Sequence, residues 1–173
     1  VGSTEPFQYA GQSLNVNGGR NAEVTVHSAR GQMSMQNAVI ECSDFARCLI
    51  RCYPGQQYVC EKLWVNQNKN LLTGRQYGSL EIAHTVGHTG ATNGQYFLQN
   101  ANIKCPTDGD CSVECGTGQY ACQNIKVQCP KSPHLCAVKN TRFSGTDIMT
   151  GCAAPKSERI GSTSSPALYN IYC

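Results

Sequence analysis

Two stretches of the chain decide the fold, because the second repeats the first. Residues 35–65 read MQNAVIECSDFARCLIRCYPGQQYVCEKLWV, and residues 98–127 read LQNANIKCPTDGDCSVECGTGQYACQNIKV. Both copies open with Gln-Asn-Ala, and three cysteines recur at an offset of 63 residues. The matched cysteines are Cys42, Cys48 and Cys52 with Cys105, Cys111 and Cys115, and Cys60 with Cys122 after a one-residue deletion. A duplication of this kind is typical of a protein built from stacked repeats.

Short segments rich in β-branched residues recur at a finer period. They end at Cys42, Asn66, His84, Cys105, Cys129, Cys152 and Cys173, with spacings of 18 to 24 residues. Three units of about 21 residues would account for the offset of 63. Apolar and polar residues alternate in these segments, and Gly, Pro, Asp or Asn follows them. We therefore predict an all-β, disulfide-rich β-solenoid (β-helix-like) with rungs of 18–24 residues. An antiparallel β-sandwich, whose strands also recur, is the alternative.

The cysteine content indicates a disulfide framework formed in an oxidising compartment. The 173 residues include 12 cysteines, an even and dense set. We predict that all of them are structural disulfide cysteines: Cys42, Cys48, Cys52, Cys60, Cys105, Cys111, Cys115, Cys122, Cys129, Cys136, Cys152 and Cys173. The chain begins at Val1 without a methionine, as a processed secreted protein would. The expected location is therefore extracellular, either secreted or in a cell-surface appendage.

The sequence leaves two patterns of disulfide pairing open. Stacked strands lie about 4.8 Å apart, within the Cα separation of roughly 4.4 to 6.8 Å that a disulfide spans. Cysteines at equivalent rung positions, such as Cys105, Cys129 and Cys152, could therefore bridge from rung to rung. The alternative pairs close short loops: Cys105 with Cys111, Cys115 with Cys122, and Cys129 with Cys136.

Composition predicts one domain over residues 1–173 and excludes two classes of partner. The ends, residues 1–20 and 153–173, are rich in Gly, Ser, Thr and Pro and are predicted to be extended arms. The net charge is +3 and charged residues make up 14% of the chain, without a basic stripe, so we expect no nucleic-acid partner. The absence of an apolar run of about eighteen residues predicts no membrane span.

Two polar motifs were considered as metal sites. His84 and His88 have the spacing of ligands on one helical face, but Gly87 argues against a helix, and a polar loop is the preferred interpretation. Asp108 and Asp110 flank a glycine, and without a third carboxylate nearby they favour a turn over a calcium site. We expect no metal and no cofactor.

Catalytic residues are equally sparse. A polysaccharide-cleaving enzyme needs paired carboxylates, and only the fold could gather Glu41, Asp44 and Glu81 for this purpose. Because all twelve cysteines can pair, a nucleophilic thiolate is not expected. The sequence predicts that the protein is not an enzyme, and a polysaccharide-active enzyme stays as a third hypothesis.

Repeated polar and aromatic residues are predicted to lie at the rung corners. The Gln-Asn pairs at residues 36–37, 99–100 and 123–124 would stack as a hydrogen-bonded ladder. Tyr58 and Tyr120 both follow glutamine and precede Cys60 or Cys122, which indicates a structural loop.

The repeat QNANIKC-x5-C-x3-C-GTGQYAC-QNIKVQC resembles the cysteine-rich repeats of extracellular surface proteins of protists, especially stramenopile algae and oomycetes. It is also similar in style to subunits of fibres such as the tubular flagellar hairs called mastigonemes. The resemblance covers residues 35–152 and implies a structural role at the cell surface.

These expectations combine into a structural subunit of an extracellular assembly or filament. Bare sheet edges favour association, so the arms and open edges would join the chain to copies of itself. A monomeric secreted carbohydrate-binding or adhesin-like module, with glycans as partners, is the alternative.

Overall fold

A computed structural model describes twelve parts of the chain. They are residues 11–18, 23–28, 32–42, 47–53, 57–67, 78–84, 95–115, 120–130, 134–140, 145–150, 156–162 and 165–172. In these residues the chain forms strands and turns, and no helix. The strands are β1 Asn15–Asn17, β2 Val24–His27, β3 Val39–Cys42, β4 Cys48–Cys52, β5 Trp64–Gln67, β6 Leu80–His84, β7 Asn102–Lys104, β8 Cys111–Cys115, β9 Lys126–Gln128, β10 Leu135–Asn140, β11 Gly145–Thr150, β12 Lys156–Ser162 and β13 Ser165–Tyr172. The all-β prediction is confirmed.

The strands alternate between two sheets. Sheet A has the order β1-β3-β5-β7-β9-β13-β12, and sheet B has the order β11-β10-β8-β6-β4-β2. From β1 to β10, each described strand pairs in parallel with the strand two positions away in sequence. Parallel neighbours need a long crossover, and here each crossover passes through the opposite sheet. These parallel pairings contradict the antiparallel sandwich. The sequence left that alternative open because the recurrence of strands does not determine their direction.

Strand register corrects the repeat length that the sequence predicted. We call each odd-numbered strand with the even-numbered strand that follows it a level, so that β1–β2 is the first level and β9–β10 is the fifth. Val39 pairs with Trp64, and Trp64 pairs with Asn102. The offset of 63 residues therefore spans two levels rather than three units of about 21. The error arose because the LEIAH segment, strand β6, belongs to the other sheet.

Strand alternation builds a core between the two sheets. Each strand from β2 to β10 buries apolar side chains on the face toward the core, as the period of two side chains requires. One row of buried residues runs through sheet A as Ile40, Val65, Ile103 and Val127, and another runs through sheet B as Val26, Ile50, Ile82, Val113 and Val138. Successive residues of each row are register partners on neighbouring strands, so valine and isoleucine side chains stack on one another from level to level.

Parts of both predicted arms are strands of the same chain's sheets. Strand β1 lies within residues 1–20 and pairs in parallel with β3. Strands β12 and β13 lie within residues 153–173 and form an antiparallel pair, and β13 also pairs with β9. These parts of the predicted arms therefore belong to the chain's own sheets. Polar, Gly-containing segments can add a strand when a neighbouring strand supplies the hydrogen bonds. Within the described ranges, no helix has the length and apolar character needed to cross a membrane.

Candidate functional site: the stacked corner

A column of similar turns precedes the strands of sheet A, and from the second turn onward each turn connects sheet B back to sheet A. The turns lie at residues 11–13, 32–37, 57–62, 95–100 and 120–124, and together we call them the stacked corner. Backbone hydrogen bonds join one turn to the next. The N–H of Tyr58 donates to Gln32 O at 2.7 Å, that of Tyr96 to Gln57 O at 2.8 Å, and that of Tyr120 to Gln95 O at 2.8 Å. The turns therefore stack in register, as the strands on either side of them do.

Each of these turns contains two left-handed residues, separated by one other residue. The first position is held by Gly11, Met35, Cys60, Leu98 and Cys122, and the second by Ser13, Asn37, Lys62, Asn100 and Asn124. Their φ angles run from 52° to 56°, apart from 69° at Gly11. Asparagine tolerates this conformation better than most residues, which explains its recurrence at the second position. At the first position the side chains of Met35 and Leu98 are buried in the core.

Polar side chains form ladders on the outside of the stacked corner. Gln12 Nε2 donates to Gln36 Oε1 at 3.1 Å, and Gln36 Nε2 donates to Glu61 Oε2 at 2.5 Å. Higher in the stack, Gln99 Nε2 donates to Gln123 Oε1 at 2.5 Å.

A parallel ladder of asparagines lies beside these glutamines. Asn124 Nδ2 donates to Asn100 Oδ1 at 3.2 Å. The ladder predicted from the Gln-Asn pairs is thus confirmed for the last two of the three pairs. The side-chain bonds satisfy polar groups along the turns.

Five disulfides close loops within single levels. Cys42–Cys48, Cys105–Cys111 and Cys129–Cys136 connect a strand of sheet A to the next strand of sheet B, whereas Cys52–Cys60 and Cys115–Cys122 tie the end of a sheet B strand to the stacked corner. Their Cα–Cα distances run from 5.6 to 6.3 Å. The loop-closing pattern is confirmed at these residues, and Cys105 and Cys129 do not bridge between levels. Cys152 and Cys173 lie outside the described residues.

The structure describes one of the two motifs with the residue types of a metal site completely and the other in part. His84 ends β6, and His88 lies outside the described residues. Asp108 lies in the connection between β7 and β8, where Thr107 Oγ1 donates to it at 3.2 Å. Among the described residues, no group of three or more His, Cys, Asp or Glu side chains could hold a metal ion.

Close packing explains the glycine between the two aspartates. Gly109 is buried, and a Cβ atom there would lie 1.5 Å from the carbonyl oxygen of Gly78. The loop before β8 therefore touches the backbone next to β6, and only glycine allows this contact.

The acidic residues considered for catalysis are placed on different sheets. Glu41 is in β3 of sheet A, where Asn17 Nδ2 donates to it at 3.2 Å. Glu81 is in β6 of sheet B and forms an ion pair with Arg47. The hydrogen bond to Glu81, with the charge of this carboxylate, raises the pKa of Arg47 above its usual value. Glu41 and Glu81 therefore belong to different sheets, and Asp44 lies outside the described residues.

Three tyrosines form an aromatic column on the stacked corner. The ring centroids of Tyr58 and Tyr96 are 4.7 Å apart with 4° between the ring planes. Those of Tyr96 and Tyr120 are 5.0 Å apart with 8° between the planes. We call these three residues the tyrosine ladder; all three residues are partly exposed. The sequence interpretation linked Tyr58 with Tyr120 but missed Tyr96, although Gly94-Gln95-Tyr96 carries the same local pattern.

The site that results is a repetitive surface rather than a pocket lined by reactive groups. It combines left-handed turns, which recur at all five positions, with amide ladders, disulfides and stacked phenol rings at some of them. Comparison of the chain with protein families, with curated proteins and with solved structures finds no match.

Proposed function

We propose that the chain is a structural subunit of an extracellular assembly, built as a β-solenoid and joined end to end with copies of itself. Five levels repeat the same strand register, core side chains and corner turns, which supports a stiff rod-like unit. The disulfides fit a secreted or extracellular protein. The resemblance to protist surface repeats and mastigoneme-type fibre subunits points in the same direction.

The single observation that carries this proposal is the order of strands in the two sheets. At one end of the order the edge strands are β1 in sheet A and β2 in sheet B; at the other end they are β12 and β11. Both sheets therefore present an edge at each end of the described fold. Sheet edges can pair with another chain, and a contact between two different ends is heterologous, which yields open filaments when the rotation does not close.

The outer edge of β1 can be identified from its hydrogen bonds. Leu14 O accepts from Val39 N–H at 2.8 Å, and Gly18 N–H donates to Glu41 O at 2.7 Å. Residues of a parallel strand bond alternately to one side and the other. The backbone amide of Asn15 therefore faces away from β3, on the side where a neighbouring subunit would pair.

This orientation gives a sharp test. The unreduced protein should form regular filaments by negative-stain microscopy and show a mass that rises with concentration in light scattering. Asn15→Pro removes the outward amide and should abolish this assembly, whereas the control Asn15→Thr keeps the amide and should assemble as the natural protein does. Circular dichroism and thermal unfolding check that both variants fold. Compact monomers of the natural protein at all concentrations would overturn the proposal.

A second function, carbohydrate binding, is favoured by the outer face of sheet A. Trp64 is partly exposed between its register partners Val39 and Asn102, while its chain neighbours Leu63 and Val65 are buried. An indole ring on a flat sheet can stack on a sugar ring. If this face binds glycans, the natural protein should bind members of a glycan array, and Trp64→Ala should abolish this binding. If the natural protein binds no glycan of the array, carbohydrate binding is excluded as the function of this face.

A further inference from the structure

The tyrosine ladder places three oxidisable phenols closer together than ordinary surface tyrosines. Its ring centroids are separated by 4.7 and 5.0 Å. This is the spacing of neighbouring strands, about 4.7–4.9 Å. Each ring therefore lies over the next because each tyrosine occupies the same place in its turn.

The backbone holds the rings in this arrangement. The amides of all three tyrosines donate to the preceding turn, to Gln32, Gln57 and Gln95. Cys60 and Cys122 lie two residues after Tyr58 and Tyr120, and their disulfides anchor the turns that hold these two tyrosines. Phenol rings held in this way meet far more often than rings on free chains, and such proximity accelerates a bond-forming step.

We propose that Tyr58, Tyr96 and Tyr120 form an oxidative cross-linking site, at which a peroxidase with hydrogen peroxide joins neighbouring rings as dityrosine. Each of two neighbouring phenols loses one electron and one proton to the oxidant. The two phenoxyl radicals form a carbon–carbon bond between their ortho positions, and the ring hydrogens at these positions move to the oxygens. One hydrogen peroxide takes up the two electrons and two protons and becomes two water molecules.

The stacked rings need only a small rearrangement for this bond. Each tyrosine side chain has two rotatable bonds before the ring, and all three residues are partly exposed, which leaves room for a tilt. Tyr96, the central ring, has a neighbour on either side and can couple with Tyr58 or with Tyr120. The cross-link would join turns of successive levels, which the five described disulfides do not do.

The test uses the full, unreduced chain at a dilution where it is monomeric. Treatment with a haem peroxidase and hydrogen peroxide should produce the blue fluorescence of dityrosine within the monomer. After reduction, tryptic digestion places the ladder tyrosines on separate peptides, residues 52–62, 76–104 and 105–126. Mass spectrometry should find these peptides joined in pairs with the loss of two hydrogen atoms per link, and fragmentation should locate the link at the ladder.

Phenylalanine substitutions keep the rings and remove the reactive phenols. Tyr96→Phe, and separately Tyr58→Phe with Tyr120→Phe, should each abolish the ladder links. Tyr53→Phe is the matched control, since Tyr53 is on the same tryptic peptide as Tyr58 but is not one of the stacked rings, and its N–H donates to Ser28 Oγ at 2.7 Å; it should leave the links unchanged. The proposal fails if Tyr96→Phe retains the natural yield of links, if the linked peptides join other tyrosines, or if links form only between molecules.

Discussion

At the scale of single residues, the left-handed turns explain why particular side chains recur. Asn37, Asn100 and Asn124 share the second left-handed position of their turns with Lys62. Asparagine relieves the steric conflict between Cβ and the following carbonyl by bonding locally, whereas a long side chain does not. Lys62, with φ 53°, is therefore the least suitable residue at this position among the four.

We predict that Lys62→Asn stabilises the protein. The substitution should raise the free energy of unfolding by about 1 kcal/mol, because it removes most of the left-handed penalty and places an asparagine between two others of the ladder. The ion pair that it removes, Lys62 Nζ to Glu61 Oε1 at 3.6 Å, joins a lysine side chain that is 54% exposed to a carboxylate that is 8% exposed, and this carboxylate keeps its hydrogen bond from Gln36 Nε2. Denaturant unfolding of the unreduced protein measures the change.

The reverse substitution supplies the control for this prediction. Asn37 is exposed and has φ 55°, so Asn37→Lys should lower the free energy of unfolding by a similar amount. A loss of stability in Lys62→Asn would mean that the contact with Glu61 outweighs the backbone term.

Residue preferences also set the limit of what the sequence could predict here. The Gln-Asn pairs indicated a ladder because stacked asparagine side chains can satisfy the polar groups of successive turns. Met35 and Leu98 have the same left-handed backbone conformation, but methionine and leucine do not favour it, so these residues did not indicate it. Burial of their side chains in the core compensates for the cost of this conformation. For the tyrosine ladder, the sequence supplied the residues but not their contact, which depends on how many residues separate successive turns.

At the scale of elements, the sequence predicted several strands and misjudged how the strands are arranged. Alternating apolar residues correctly marked β3, β5, β6, β7 and β9. The sequence predicted an arm where β1 lies, and it predicted β6 as one more unit of the same series. The reason is physical: alternation reports which face of a strand is buried, but both sheets face the same core, so it cannot report which sheet the strand joins.

The disulfide between Cys115 and Cys122 gives a prediction for the junction of β8 with the stacked corner. Both cysteines are fully buried and lie 7 residues apart in sequence. Replacing both with alanine should lower the free energy of unfolding by about 2–3 kcal/mol, because the unfolded chain regains the freedom that the closed loop removed. Double substitution avoids leaving an unpaired thiol, and denaturant unfolding of the unreduced variant measures the loss. An unchanged midpoint would show that this bond does not restrict the unfolded chain.

At the scale of the whole molecule, covalent reinforcement is uneven along the stack. The first cysteine is Cys42, so the first level, β1 with β2, contains none. The second and fourth levels each carry two described disulfides. In the order of sheet A, β1 has one strand neighbour, β3, whereas the inner strands have two. In a stack where each level is stabilised mainly by its neighbours, an end level opens more easily than an inner one.

Hydrogen exchange should therefore reveal a gradient of stability that begins at β1. Three amides occupy the same position on successive levels: Val39 N–H bonds Leu14 O at 2.8 Å, Trp64 N–H bonds Ala38 O at 2.9 Å, and Asn102 N–H bonds Leu63 O at 2.8 Å. Since their hydrogen-bond lengths are nearly equal, differences in exchange report the opening of levels rather than the quality of single bonds. Under native conditions Val39 should exchange fastest and Asn102 slowest. Equal protection at all three amides would instead mean that the stack opens as one cooperative unit. In that case, filament formation should slow exchange at Val39 no more than at Asn102.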